Sequence, residues 1–169
     1  MPLPRNFSLN ADERARLGTQ LLRLANRYDR ALEERLAPWH LAPTHYEILK
    51  LLYAAPDYSA RHSAIAAQLG ITLPSVTVAI RKLTGLGLMG QRRGEDRRER
   101  IATLSVKGAE MLAHLYDAHE GFAEEVFSLL GDKEAKVIDR QITALLARLT
   151  ALEDTRHGKT SSHQAASAA

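Results

Sequence analysis

The sequence predicts a mainly α-helical protein carrying one small β-ribbon, and three features support that expectation. Apolar residues recur at three- and four-residue steps over 11–37 and again over 106–153, the spacing of amphipathic helices. Between those regions lie shorter helical patterns, two of them joined by a tight corner at Gly70. After them comes "RRGEDRRER" at 92–100, with five arginines and three acids around one glycine, flanked by two strand-like segments.

Composition bounds the rest. The 169 residues are 45% hydrophobic and 25% charged, the balance of a soluble globular protein with room for one core plus helical extensions. The net charge is only +3, but it is unevenly spread: residues 61–107 hold nine Lys/Arg against three Asp/Glu, and the remainder fourteen against seventeen. A localised basic patch is the electrostatic footprint of a nucleic-acid surface. The absence of cysteine excludes disulfides, thiolate zinc sites and thiol redox sensing. The N-terminus "MPLPRNFSLNADERARL" has no basic segment followed by an apolar run, and no apolar stretch approaches the ~20 residues of a membrane span. A cytoplasmic protein is expected.

The elements follow in order. Leu17, Leu21, Leu24, Tyr28, Leu32 and Leu36 mark a long helix over 11–37. Ser8 or Asn10 can cap it, Asp12 and Glu13 suit its N-terminus, and Pro38 stops it. A stripe of that length calls for a partner along it. A second helix covers 43–54, with Pro43 in its first turn, and "APDYSA" reads as a loop. A short helix at 62–69 meets the corner at Gly70, and Thr72 is a good N-cap for a helix over 73–86. Val76, Ile80 and Leu83 of that helix face the core. Its opposite face carries Pro74, Ser75, Thr77, Val78, Arg81 and Lys82. Gly87 can end it. Strands over 88–93 and 100–105 flank the charged stretch, with Gly94 near the tip. Helices over 106–130 and 132–153 complete the pattern, marked by Met111, Leu115, Ala118 and Phe122, then by Val137, Ile138, Ile142, Leu145, Leu149 and Leu152. Gly131 and Asp132 separate them. From 154 the chain is small and polar, and a disordered tail is expected.

Helix, short helix, tight turn, amphipathic helix and charged ribbon together make a winged helix-turn-helix. The fourth helix suits the major groove. Thr72, Ser75 and Thr77 offer hydroxyls, Pro74, Val78 and the Thr77 methyl offer apolar contact, and Arg81 and Lys82 can meet guanine or phosphate. The alternative for this face is a plain solvated surface, where glutamates are usual. In the ribbon, Arg92, Arg93, Arg97 and Arg98 can lie over phosphates or reach into a narrow minor groove. Asp96 can pair with Arg98 and fix its rotamer before DNA arrives. A solvated turn is the alternative.

The stretches "LAPTHYEILKLL", "IAAQLGITLPSVTVAIRKLTGLGLM" and "RRGEDRRERIATLSVKGAEML" resemble the MarR family of bacterial transcription regulators. The family's D-x-R element falls on Asp96 and Arg98, and its L-S/T-x-x-G element on Leu104, Ser105 and Gly108. Ala42 stands where the family often has Thr, and His45 where Gln is common. The resemblance implies an N-terminal arm at 1–10, a dimerisation helix at 11–40, a winged helix-turn-helix lobe at 41–105 and C-terminal dimerisation helices at 106–153, followed by the tail at 154–169. It also implies an obligate homodimer on a near-palindromic operator, with repression as the usual consequence.

The family resemblance further implies release from DNA by a small aromatic or phenolic acid. The matching junction "LAPWHLAPTHY" holds Trp39, His40, His45 and Tyr46, an aromatic wall with hydrogen-bonding imidazoles. Arg23 and Arg27 are candidate carboxylate partners. Packing is the alternative for the junction residues, and a solvated helix face for the arginines. Neither a cofactor nor a metal is expected: His114 and His119 are spaced i, i+5, whereas a helical metal pair needs i, i+4. No phosphate-binding loop, nucleophile motif or H-E-x-x-H is present, so an enzyme is not expected. The competing class is a winged-helix module that binds protein.

Overall fold

The computed structural model describes residues 13–94, 96 and 99–166, with side chains through Glu153 and at Thr155. The expected N-terminal arm and the caps at Ser8 and Asn10 lie outside the described residues. The chain divides into two compact units, the first ending at Phe122 and the second beginning at Ala123.

The first unit opens with helix α1, Glu13–Leu36, followed by a 3-10 turn at Ala37–Trp39. Leu32 and Leu36 are buried, but Leu17, Leu21 and Leu24 of the expected stripe are 37–51% exposed. Helix α2 spans Pro43–Ala54 and is the centre of the core, with Tyr46, Ile48, Leu49 and Leu52 almost fully buried. Each such side chain contributes roughly 1.5–3 kcal/mol by leaving water. Two left-handed residues, Asp57 and Tyr58, then turn the chain into strand β1, Ser59–Arg61.

The sequence reading leaves 55–60 as a loop and expects two strands. The structure makes a three-stranded antiparallel sheet instead, in the order β1–β3–β2, with β2 at Met89–Arg93 and β3 at Arg100–Leu104. Three residues with no alternating pattern carry no strand signal of their own. They become a strand by pairing with β3 forty residues away, Ser59 opposite Thr103 and Arg61 opposite Ile101. The hydroxyls of Ser59 and Thr103 lie 2.8 Å apart and tie that pairing.

Helices α3, His62–Leu69, and α4, Leu73–Gly85, meet across Gly70. Gly70 has φ +64°, a left-handed geometry that glycine adopts without a Cβ penalty. The chain bends by 113° between these helices, within the ~90–120° of a helix-turn-helix. Val76, Ile80 and Leu83 of α4 are fully buried, on the face the spacing predicts. Helix α5, Val106–Phe127, begins in this unit and crosses the division.

Its start is locked to the end of α4. Ser105 Oγ donates to Gly87 O at 2.8 Å and accepts from Gly108 N–H at 3.0 Å, while Ser105 N–H donates to Leu88 O. Lys107 Nζ donates to Leu86 O at 2.9 Å. Gly108 packs so closely that a Cβ there would collide with the Leu88 carbonyl.

In the second unit, helix α6 spans Asp132–Ala166. The backbone is thus helical well past 154, where the sequence reading places a disordered tail. No proline interrupts residues 154–166, so no steric stop ends the helix there. Val137, Ile138, Ile142, Leu145, Leu149 and Leu152 are all 39–57% exposed in the single chain. No single helix among the described residues is long and apolar enough to cross a membrane.

Replacing Gly108 by alanine is expected to destabilise the fold by about 3 kcal/mol or more, because the obstacle is backbone and cannot rotate away. Urea unfolding of Gly108→Ala against wild type measures this, and an unchanged midpoint would refute the close packing.

Candidate nucleic-acid interface

Helix α4 presents the face that its sequence predicts. Pro74, Ser75, Thr77, Val78, Arg81 and Lys82 are all exposed, and Leu73 joins them at 48% exposure. The helix contains no acidic residue. Thr72 caps it: its Oγ1 accepts from Ser75 N–H at 3.3 Å and lies 2.8 Å from Ser75 Oγ. Thr77 Oγ1 donates to Leu73 O at 2.9 Å. The hydroxyl protons expected to read bases are therefore partly engaged within the helix. The Thr77 methyl, the Val78 side chain and the two cationic ends face outward.

The ribbon stands beside this helix. Gln91 Nε2 donates to Thr84 Oγ1 at 3.1 Å, joining β2 to α4. Arg92, Arg93 and Arg100 are exposed, with Arg93 opposite Arg100 and Arg92 opposite Ile101. At the tip, Gly94 N–H donates to Glu99 O, and Glu99 N–H to Asp96 O. Asp96 is exposed. Arg97 and Arg98 lie outside the described residues, and with them the expected Asp96–Arg98 pair.

Sequence reasoning assigns no role to Arg61 or Ser63, and treats Glu99 and Arg100 only as members of the charged stretch at 92–100. The structure gathers them beside α4. Strand β1 carries Arg61 toward the tip end of the ribbon, where its Nη1 meets Glu99 Oε1 at 3.1 Å. The signal was thin, because it depends on the unforeseen β1–β3 pairing. His62 next to it is 4% exposed, and its Nε2 has no hydrogen-bond partner among the described residues.

The residues expected to hold a small acid differ in exposure, and Arg23 and Arg27 share one concavity on α1. Trp39 is half-buried, and His40 is exposed in a left-handed conformation at φ +56°. Tyr46 is 1% exposed. His45 is committed to the backbone: its Nδ1 accepts Ala42 N–H at 2.8 Å, and its own N–H donates to Ala42 O at 2.9 Å. The alanine at the N-cap has no side-chain acceptor, and the histidine three residues on supplies one. Arg23 and Arg27 are exposed on α1, in a concavity of about 360 Å³ shared with Asn26 and Arg30.

What the structure does assemble is an aromatic cluster joining α1, α2 and α5. His119 stacks on Tyr46 with ring centroids 4.9 Å apart, and its Nε2 lies 3.2 Å from Tyr28 Oη. Tyr28 packs on Phe122 at 4.8 Å, and the Arg35 guanidinium lies 4.5 Å from the Phe122 ring centre. Burial, with Glu47 nearby, pushes the Tyr46 hydroxyl up to about 12. Burial also lowers three histidines, reinforced by Lys82 at His45, by Arg100 at His62 and by Lys50 at His119.

These shifts carry a pH dependence. Each folded value lies below the ordinary ~6.5 of histidine, so as the pH falls past that point the unfolded chain binds more protons. Stability is therefore complete above about pH 6.5 and declines below it. Urea midpoints at pH 7.5, 6.5 and 5.5 should fall in that order. His45→Gln keeps an acceptor for Ala42 N–H and should weaken the decline; an equally steep decline in that variant would remove His45 from the account.

Residues 41–99 match the model of the MarR family. No curated protein sequence matches the chain. Among solved structures, the transcriptional regulator BldR from Sulfolobus solfataricus superposes with a TM-score of 0.75 at 20% identity, over 83% of this chain and 99% of that one. AbsC from Streptomyces coelicolor, a MarR family transcriptional regulator, gives 0.74 at 23% identity, over 85% and 98%. Sco3205 from the same organism, a MarR family regulator solved in complex with DNA, gives 0.75 at 21% identity, over 84% and 94%. Residues 41–99, the helix-turn-helix and ribbon, are thus similar to a MarR family domain, and the superpositions show that the chain shares the winged-helix fold of these structures.

Proposed function

We propose that this protein is a homodimeric, sequence-specific DNA-binding repressor of a bacterial cytoplasm, released from a near-palindromic operator by a small aromatic or phenolic acid. The observation that carries the reading is the outward face of α4, free of acids and bearing Arg81 and Lys82, beside a ribbon with exposed Arg92, Arg93 and Arg100. A protein-binding winged helix has no need of so much like charge on one side. In this reading α4 enters the major groove, with Arg81 on guanine or phosphate and Thr77 and Val78 against thymine methyls. The ribbon arginines, Arg97 and Arg98 among them, lie over the adjacent backbone.

Two further observations support the finer parts. Exposed leucines run along α1, and exposed leucines and isoleucines along α6, each an apolar stripe of the kind that marks an interaction surface. A second copy covering both stripes would set two α4 helices about one DNA turn, ~34 Å, apart. For the effector, the accessible members of the expected set are Trp39, His40, Arg23 and Arg27. His45 and Tyr46 support the junction from inside.

Fluorescence anisotropy with DNA from upstream of the protein's own gene tests the reading. Binding in the nanomolar range, preferred over random DNA and with a steep log–log salt slope, is expected. Arg81→Ala should weaken it by about tenfold or more. Binding that ignores both sequence and salt would refute the regulator. Sedimentation should find a dimer, and Leu145→Glu with Leu149→Glu should shift it toward monomer; a wild-type monomer at micromolar concentration would refute the homodimer. Titrating aromatic acids into the DNA complex tests release.

A further inference from the structure

A cavity of about 270 Å³ opens between the start of α3, the outward side of α4 and the tip end of the ribbon. Arg61, Ser63, Thr77 and Arg100 line it, together with one carboxylate, Glu99. Two guanidinium groups and the Ser63 hydroxyl around a small opening are the donor set of a phosphate seat, the Thr77 proton being given to Leu73 O. The seat adjoins Thr77, on the face of α4 turned outward. Glu99 reaches into it, its Oε1 3.1 Å from Arg61 Nη1. Arg61 is 62% exposed and Glu99 31%, so this is a surface pair that costs little to part.

We infer that this cavity seats one phosphate of the DNA backbone, and that Glu99 occupies it in the free protein as an internal competitor for Arg61. The inference rests on the DNA-binding reading above and adds a contact and a restraint to it. A carboxylate and a phosphate are both anionic and take the same guanidinium edge, so both cannot hold Arg61 at once. DNA must displace Glu99, and binding is weaker by whatever holds the pair together. The arrangement limits attraction to phosphates in general while leaving Arg61 available to a duplex already positioned by α4. The opposite role, Glu99 holding Arg61 ready for DNA, predicts the reverse sign.

The test is operator binding by anisotropy across salt, for the full-length wild type, Glu99→Gln, Glu99→Asp, Arg61→Gln and the Arg61→Gln/Glu99→Gln double variant, each first checked for a wild-type unfolding midpoint. Glu99→Gln is expected to tighten binding by about three- to fivefold and to steepen the salt slope by about 0.9, the release of one more counterion set. Glu99→Asp keeps the charge but falls short of Arg61, and should also tighten binding. The loss from Arg61→Gln should be about threefold larger in the Glu99→Gln background than in wild type. Unchanged or weaker binding in both Glu99 variants overturns the inference, as does strict additivity of the pair, which would leave only a general charge effect. A wild type that binds no DNA overturns the regulator reading and this inference with it, whereas a wild type that binds while the Glu99 variants gain nothing overturns this inference alone.

Discussion

The joint between the end of α4 and the start of α5 is the constraint on which the winged-helix lobe depends. Ser105 serves both sides of it, donating to the Gly87 carbonyl and accepting the Gly108 amide. Leu88 O receives the Ser105 amide and lies where a side chain at 108 would have to go. Strand β2 leaves this joint and β3 returns to it, so the root of the ribbon is held against the helix it must accompany. A ribbon hung from a loose turn would sample many directions, and its arginines would have to be ordered on binding at an entropic cost. Close backbone packing removes that freedom beforehand.

A second joint fixes the lobe to the long first helix. Tyr46 and His119 stack between α2 and α5, and Tyr28 brings α1 to the same place. Tyr28 Oη and His119 Nε2 meet each other there, which makes their partial burial tolerable. The consequence is a region that resists protonation. His45 belongs to the same economy, since its ring nitrogen completes a helix start that Ala42 cannot cap. The His45 ring, buried and bonded to the backbone, thus serves the start of α2.

The two long helices behave differently from the lobe. In α2 and α4 the apolar stripes are buried within one chain, whereas those of α1 and α6 stay largely open. Hydrophobic spacing reports that a face seeks cover; it does not say from where. The lobe satisfies its own stripes because short loops fold its helices back on one another. Helices of 24 and 35 residues carry more apolar face than they bury within one chain.

The sequence by itself determined the local parts of this protein. The corner at Gly70, the cap at Thr72, the buried face of α4 and its acid-free opposite face all follow from residue types at fixed spacing. Local steric and capping rules act over three or four residues, and so they can be read along the chain. Only the tertiary structure decided what depends on distant partners. Strand β1 exists because β3 pairs with it, and through that pairing Arg61 reaches Glu99. His119 joins Tyr28 across ninety-one positions, and Gly108 is required because the Leu88 backbone comes to meet it. None of these has a local signal, because the energy that fixes each arises between segments that the chain brings together only when it folds.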